Sequence, residues 1–571
     1  MSNESDTVGR RSLAWFAVAF ALCAAFSLTL YWRTLSYGFL SADDLTYVAK
    51  NPLTARLDPA HLLRMFSEFY FTDYLPVLHV FLAIQRAIFG SPYPQQANFD
   101  PSGYRAVSIL LHALNGALLY SIFRAIRQGK HLHPAAILAG VAVFLAHPVQ
   151  VENVAWIAEQ KTLLSTALLL VSLWSYICYV RDGRPRWYIL ALAAGACAPF
   201  AKASAVVLPV ILFSCDVLVL RQSWRRALVR TGPFLAATIA ASITTVLSQA
   251  EGGAISLKEG PPLSVMFLTM MPVLTEYVRM VILPRGLAYF YHVPLRESVL
   301  DASVLVGMML LLAYMFCVWR IARRRPNILF WLLWPAVALA PVSNIVPLNT
   351  LMADRYLYVP LLGVGGLVAV GLGSLHHAAW LNARSWRFSL AAATIVVIMF
   401  SILTIDQTRW WKDDRVMWRH ALIHAPQRWK PWYHAALATR NDAAALQETK
   451  PDVAAALFRS AARTFHECTR RFGPDPRTLA ALGTVLWESG LREEAIVRWL
   501  EALQMAPHDA TIHAKLGAGY YHLGRIEQSV PHLQRALQNT DHFPELRAQI
   551  PVLKEMLEKA QTAMSVEPPA H

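Results

Sequence analysis

The stretch Phe39 to Leu53, FLSADDLTYVAKNPL, follows a mostly apolar run, Leu13 to Trp32, and presents two adjacent carboxylates, Asp43 and Asp44, directly behind it. A helix of that run's length crosses about 30 Å of hydrocarbon. The acidic turn therefore stands at a membrane boundary, and the rest of the chain decides whether it stands there once or within a larger bundle. Of 571 residues, 56% are hydrophobic and 16% charged, too apolar a balance for a soluble globule of this length.

Ten further runs repeat the pattern. They lie near Tyr104 to Arg124, Pro134 to His147, Thr162 to Val180, Trp187 to Phe200, Ser204 to Leu220, Thr231 to Gln249, Val304 to Arg320, Leu329 to Val346, Tyr356 to Ser374 and Phe388 to Ile405. About eleven membrane-spanning helices are expected. The apolar stretches Leu75 to Phe89 and Leu263 to Leu283 read as interfacial or re-entrant helices. Arg10 and Arg11 precede the first run, but no small-residue cleavage site follows it, so it reads as a retained helix.

Alternate connections are rich in arginine: Arg124/Arg127, Arg181/Arg184/Arg186, Arg221/Arg225/Arg226, Arg320/Arg323/Arg324/Arg325 and Arg384/Arg387. The formal charge of +15 is thus a topology signal and not a nucleic-acid footprint. It puts the amino terminus in the cytoplasm and leaves two large extracytoplasmic loops, residues 33–103 and 250–302. The acidic pair lies in the first. Five of the six cysteines fall in apolar runs and Cys468 stands alone, so neither a disulfide framework nor a CxxC metal site is indicated.

After about residue 410 the long apolar runs stop. Leu482-Gly483 recurs as Leu516-Gly517, Gly490 as Gly524 and Ala502-Leu503 as Ala536-Leu537, each after 34 positions. That period belongs to the tetratricopeptide repeat, a helix-turn-helix unit that buries its face by stacking on neighbours. Pro507 closes the first unit and Asp541 stands where the second would carry proline. The expected fold is all-α: a membrane bundle over 1–409, a repeat solenoid over 410–560 and a flexible tail over 561–571.

Asp43 and Asp44 admit two readings, a helix cap in a solvated loop or a catalytic carboxylate. Other polar groups share the outer boundary. His147, Glu152, Glu159 and Lys161 cluster in AHPVQVENVAWIAEQK, Lys202 lies in PFAKAS, and Asp354-Arg355 stand in NTLMADRYLYVP. Ionisable groups at such depth are costly and mark sites. Each has a plainer reading as a snorkelling cation, a helix-ending residue or a solvated charge.

In order along the chain, FLSADDLTYVAKNPL, YRAVSILLHALNGALLY, AHPVQVENVAWIAEQKTLLS, AKASAVVLP, YVRMVILPRGLAYFYHVP, ADRYLYVPLLG and WWKDDRVMWRHALIHAP lead into the repeats. So ordered, the chain resembles the GT-C superfamily of polyprenyl-phosphate-sugar-dependent glycosyltransferases, specifically the branch of transmembrane and tetratricopeptide-repeat O-mannosyltransferases and their bacterial relatives. It departs from them at Tyr74-Leu75-Pro76, Lys202-Ala203 and Glu159-Gln160-Lys161.

The resemblance implies an inverting transfer of mannose or another hexose from a polyprenyl-phosphate donor to a hydroxyl of a protein or peptide acceptor, outside the cytoplasmic face. One carboxylate of Asp43 and Asp44 is the expected base, with a lean to Asp43. Arg355, Lys202, Lys161 and His147 are expected on the donor phosphate, with Glu152 and Asp354 orienting substrate. No metal and no cofactor are expected, the lipid-linked sugar being a substrate. Expected partners are that donor, membrane lipid and an acceptor held by the repeats, with no nucleic acid. The expected location is a bacterial inner membrane with the repeats in the periplasm, or the endoplasmic reticulum membrane in a eukaryote. A lipid or polysaccharide acceptor, or a non-catalytic scaffold, are the alternatives.

Overall fold

Backbone in lipid satisfies its own hydrogen bonds only as helices or closed barrels, and every regular element among the described residues is helical. The computed structural model describes residues 2–70, 73–90, 100–126, 132–251, 261–345, 348, 350–376, 383–538, 546 and 549–566. The chain divides into two units, Met1–Asp413 and Asp414–His571.

The first unit holds α1 (Ser2–Tyr31), α2 (Pro59–Ser67), α3 (Pro76–Phe89), α4 (Pro101–Ile126), α5 (Pro134–Ala146), α6 (Val151–Ala155), α7 (Gln160–Asp182), α8 (Pro185–Ala201), α9 (Leu208–Ser214), α10 (Trp224–Glu251), α11 (Leu263–Ile282), α12 (Ala302–Ala322), α13 (Pro326–Leu339), α14 (Tyr358–His376) and α15 (Ala383–Thr408). Eight described stretches are long and apolar enough to cross a membrane, or nine if α5 and Pro148–Ala155, bent by 49°, form one span. The expected runs at Ser204 to Leu220 and Leu329 to Val346 fall instead in shorter apolar helices, Ala203–Val219 and Pro326–Val342, and the run at Trp187 to Phe200 in the 17-residue α8. Local chain breaks shorten them. Lys202 is extended after α8, and α13 gives way after Leu339 to a short turn, Ala340–Val342.

One of the eight is α11, which by length and apolarity could cross although the sequence reads as interfacial. It is fastened to loops and caps along its length. The Thr269 hydroxyl accepts from the Arg296 amide at 2.9 Å, the Tyr277 hydroxyl accepts from the Ala353 amide at 3.4 Å, and the Val281 carbonyl meets His147 Nε2 at 3.0 Å.

Small residues let the bundle close up. A Cβ on Gly140 would strike the Gly365 carbonyl of α14, and one on Gly366 would enter the Trp331 ring. The motif in α4 explains itself through packing. His112 Nδ1 and Asn115 Nδ2 meet the Tyr358 hydroxyl at 2.9 and 3.0 Å, and His112 Nε2 meets the Leu145 carbonyl at 3.2 Å. A proton on Nε2 satisfies both contacts of that ring, and the network ties α4 to α5 and α14.

The second unit holds α16 (Asp414–His424), α17 (Trp429–Leu446), α18 (Pro451–Phe472), α19 (Pro476–Glu488), α20 (Arg492–Met505), α21 (Ala510–His522), α22 (Ile526–Gln538) and α23 (Ile550–Val566). The pair α19–α20 recurs as α21–α22 after 34 positions. Gly490 and Gly524, at φ of 89° and 72°, make the left-handed turns between partners. Gly483 abuts Trp499 and Gly517 abuts Leu533, so both repeated glycines are close-packing positions. The tail expected to be flexible from 561 is helical to Val566, because Leu553 and Ala560 bury on one face of α23. Asp541 and residues 567–571 lie outside the described residues.

Candidate active site

After α1 the chain makes a short helical turn, Trp32–Ser36, and enters the acidic loop. Arg105 of α4, fully buried, organises that loop from beneath. Its Nε donates to the Tyr37 carbonyl at 3.1 Å, and its two terminal nitrogens donate to the carbonyls of Gly38 and Ala155. The two neighbouring aspartates then part company.

Asp44 is fully buried and both its oxygens are taken: Oδ2 accepts from the Leu40 amide at 2.9 Å and Oδ1 from the Ala158 amide at 2.8 Å. Burial pushes its carboxyl up to about 7, against the pull of Arg105 and the two amides. This side chain ties the loop to the turn before α7. Both oxygens are engaged by backbone amides, and its side chain makes no capping hydrogen bond to the helix it precedes.

Asp43 is half-buried, and no described residue donates a hydrogen bond to its carboxylate. Burial raises its carboxyl above the ordinary carboxylate range, Lys161 is the strongest opposing influence, and Glu159 pushes it further up. It stands at the edge of a cluster of charges drawn from distant parts of the chain.

Glu159, 1% exposed, is the hub of that cluster. Lys202 Nζ lies 2.9 Å from Oε2, and Arg355 Nε and Lys161 Nζ lie 3.7 and 3.9 Å from Oε1. The Thr162 hydroxyl donates to Oε2 and accepts from Lys202 at 2.5 Å. Glu152 takes the Arg355 amide at 2.8 Å and its guanidinium at 2.6 Å. Asp354 accepts from the Tyr291 hydroxyl at 2.5 Å, and that hydroxyl accepts in turn from the Ala288 amide. Lys161, Lys202 and Arg355 keep 14 to 18% of their side-chain surface, whereas Glu152 and Glu159 keep 1%. The cations therefore form the accessible wall and the glutamates hold them from behind.

Of the residues singled out from sequence, Asp43, Lys161, Lys202, Arg355, Glu152 and Asp354 converge. His147 does not join the cationic wall. Its Nδ1 accepts from the Val149 amide at 3.3 Å, its Nε2 meets Val281, and its ring packs on Phe400, so it caps the bend between α5 and α6. Glu152 accepts from Arg355 and Asp354 from the Tyr291 hydroxyl. Sequence reading missed Asp73, which accepts from the Tyr47 hydroxyl at 2.5 Å and interacts with Lys161. Its signal was a lone carboxylate among aromatics in FYFTDYLP. Arg105 and Tyr291 were missed as well, since nothing in a helical or loop context announces which backbone or acid they reach. Among the described residues, no group of three His, Cys, Asp or Glu side chains is placed to hold a metal.

Residues 76–248 match the family model described as dolichyl-phosphate-mannose-protein mannosyltransferase. That match covers the part of the chain from α3 to α10. Among its relatives the chain is 25% identical over 224 residues to the Drosophila melanogaster protein O-mannosyl-transferase Tmtc1, covering 38% of this chain and 24% of that one. It is 23% identical to human TMTC1 over 59% of this chain and 43% of the relative, and 22% identical to human TMTC4 over 60% and 53%. The chain thus spans about half or less of the length of these relatives. Among solved structures it is similar to ArnT from Cupriavidus metallidurans bound to undecaprenyl phosphate, at a TM-score of 0.38 and 15% identity, covering 86% of this chain and 80% of that one. A second similarity, at 0.38 and 13%, is to an Archaeoglobus fulgidus oligosaccharyltransferase, covering 68% and 53%.

Proposed function

We propose that this chain is an inverting glycosyltransferase of the kind its relatives' names describe, one that moves a hexose such as mannose from a polyprenyl-phosphate carrier to a hydroxyl of a protein or peptide. One observation carries the reading. The Asp43 carboxylate accepts no hydrogen bond from any described residue, and it interacts with Lys161 and Arg355, two members of the partly exposed cationic wall. The names of the curated relatives support the sugar and the acceptor class.

In the proposed step Asp43 takes the proton of the acceptor hydroxyl as that oxygen bonds to the anomeric carbon. The bond from that carbon to the phosphate oxygen breaks, and the polyprenyl phosphate leaves with the electron pair. Charge grows on the phosphate, where Lys202, Lys161 and Arg355 stabilise it. Glu152 and Glu159 hold those cations, and Asp44 with Arg105 fixes the loop that aims Asp43. No metal takes part in this step. Turnover that persists in chelator is expected, and loss restored by magnesium or manganese would overturn that part.

The arginine-rich loops support an orientation with the amino terminus in the cytoplasm, the site outside it, and Asp414–His571 on the same outer side. The 34-residue pairing supports reading that unit as a tetratricopeptide-type solenoid that presents the acceptor.

The test uses detergent-purified wild type, Asp43→Asn and Asp44→Asn with a panel of polyprenyl-phosphate sugars and native membrane extract as acceptor, following lipid-phosphate release by mass spectrometry. One donor turned over by wild type and not by Asp43→Asn is the expected result. No turnover of any donor, with full complementation of the deletion by both variants, would leave a scaffold.

A further inference from the structure

The unit Asp414–His571 contains a cleft of about 280 Å³ lined by α17, α19 and α21, the first helices of three successive pairs. Ala480 and Ala481 line it with small side chains, which leaves room for a guest backbone, and Tyr433 lines it as well. Three cations face it, one from each helix: Arg440, Arg477 and Lys515.

Their pairing differs. Arg440 is committed to Glu488, with Nε donating to Oε2 at 2.7 Å. Lys515 and Arg477 have no carboxylate of a described residue within 4.0 Å, although Lys515 is half-buried. The one acid lining the cleft, Asp509, spends an oxygen on the amides of Thr511 and Ile512 at the start of α21. The half-buried Lys515 and the exposed Arg477 form no ion pair with a described residue, and the acids nearest Lys515, Glu488 and Asp509, are engaged with Arg440 and with the start of α21, so three cations face two acids around the cleft.

We propose that this cleft binds an acidic segment of polypeptide, with carboxylates of the guest seated on Lys515 and Arg477 and its backbone over Ala480 and Ala481. The inference rests on reading this unit as the one that presents the acceptor, and it adds the chemistry by which an acceptor is chosen. Attraction between partly exposed charges is screened by salt, so affinity falls as ionic strength rises.

The experiment uses the full chain in lipid nanodiscs and fluorescence anisotropy of two labelled octapeptides, one of alternating glutamate and serine, the other of alternating glutamine and serine. The acidic peptide is expected to bind about tenfold or more tightly than the neutral one at low salt. R477Q/K515Q should abolish that preference, and R419Q, an exposed arginine outside the cleft, should keep it. Equal binding of the two peptides, no binding of either, or a preference unaltered by R477Q/K515Q would overturn the proposal. The two readings fail separately. Sugar transfer by a chain without the preference sinks the cleft alone, and a preference in a chain that turns over no donor sinks the transferase alone.

Discussion

The two units of this chain use charge in opposite ways. In Met1–Asp413 the carboxylates of Glu152 and Glu159 are 1% exposed and hold cations from far along the chain, Arg355 lying 203 positions from Glu152. In Asp414–His571 the partners of Arg470 and Arg525 are Glu467 and Glu493, 27% and 65% exposed. Desolvating an ion costs several kcal/mol, so buried pairs are kept where their geometry is needed, and surface pairs contribute little. Charge in a loop is informative only once its burial is known.

The contrast can be broken most sharply at the acidic pair. Asp43→Asn should lower turnover by about a thousandfold, the scale of a lost general base, with little change in unfolding temperature. Equal loss of activity and of thermal stability would make Asp43 structural. The pH profile adds a second reading. Asp43 must be ionised to accept a proton and its carboxyl is raised by burial, so turnover should climb with pH through a midpoint above the ordinary carboxylate range. A rate already flat down through the ordinary carboxylate range would remove Asp43 from the role.

Next in size is the buried pair against the surface pair. Arg355→Gln leaves Glu152 buried without its cation and should cost about 3–5 kcal/mol of stability. Arg470→Gln on the exposed face of α18 should cost nothing measurable in the same denaturation assay. Comparable losses would mean that the wall around Glu159 is no more constrained than a surface helix.

Asp44→Asn is smaller and of opposite character to Asp43→Asn. The amide oxygen can keep one of the two backbone donors, Leu40 or Ala158, so about 1–3 kcal/mol is expected. Its pH dependence has a definite sign. The folded carboxyl is raised to about 7 from 3.8, so the folded state binds the proton more tightly than the unfolded one. Wild-type stability should therefore fall as pH rises from about 4 through about 7, and this component should vanish in Asp44→Asn. Identical pH curves for the two proteins would refute the burial of that carboxyl.

The smallest effect belongs to the repeats. Gly490→Ala meets no atom within 4 Å but must hold φ at 89°, costing about 1 kcal/mol. Gly140→Ala in the bundle has the reverse problem, an ordinary φ and no space, and should cost about 2 kcal/mol. Thermal unfolding of both variants compares backbone strain with steric collision.

Much of this was legible in the residues alone. Apolar run length fixes helices because lipid offers the backbone no partners, and a 34-residue recurrence fixes paired helices because each unit needs a neighbour. The order of motifs also pointed to Asp43, Lys161, Lys202 and Arg355, since charge beside hydrocarbon is too costly to be idle. Tertiary structure alone decided which side chains of those motifs face outward. Asp43 and Asp44 are chemically identical neighbours, and only the placement of Leu40, Ala158 and Arg105 consumes the second and leaves the first open. His147 looked like a ligand until Val149 and Val281 claimed both its nitrogens, and Asp73, which no motif singled out, stands beside Tyr47 and Lys161. A hydrogen bond is specific to atoms that meet within about 3 Å, and which distant atoms meet is a property of packing that no local pattern encodes.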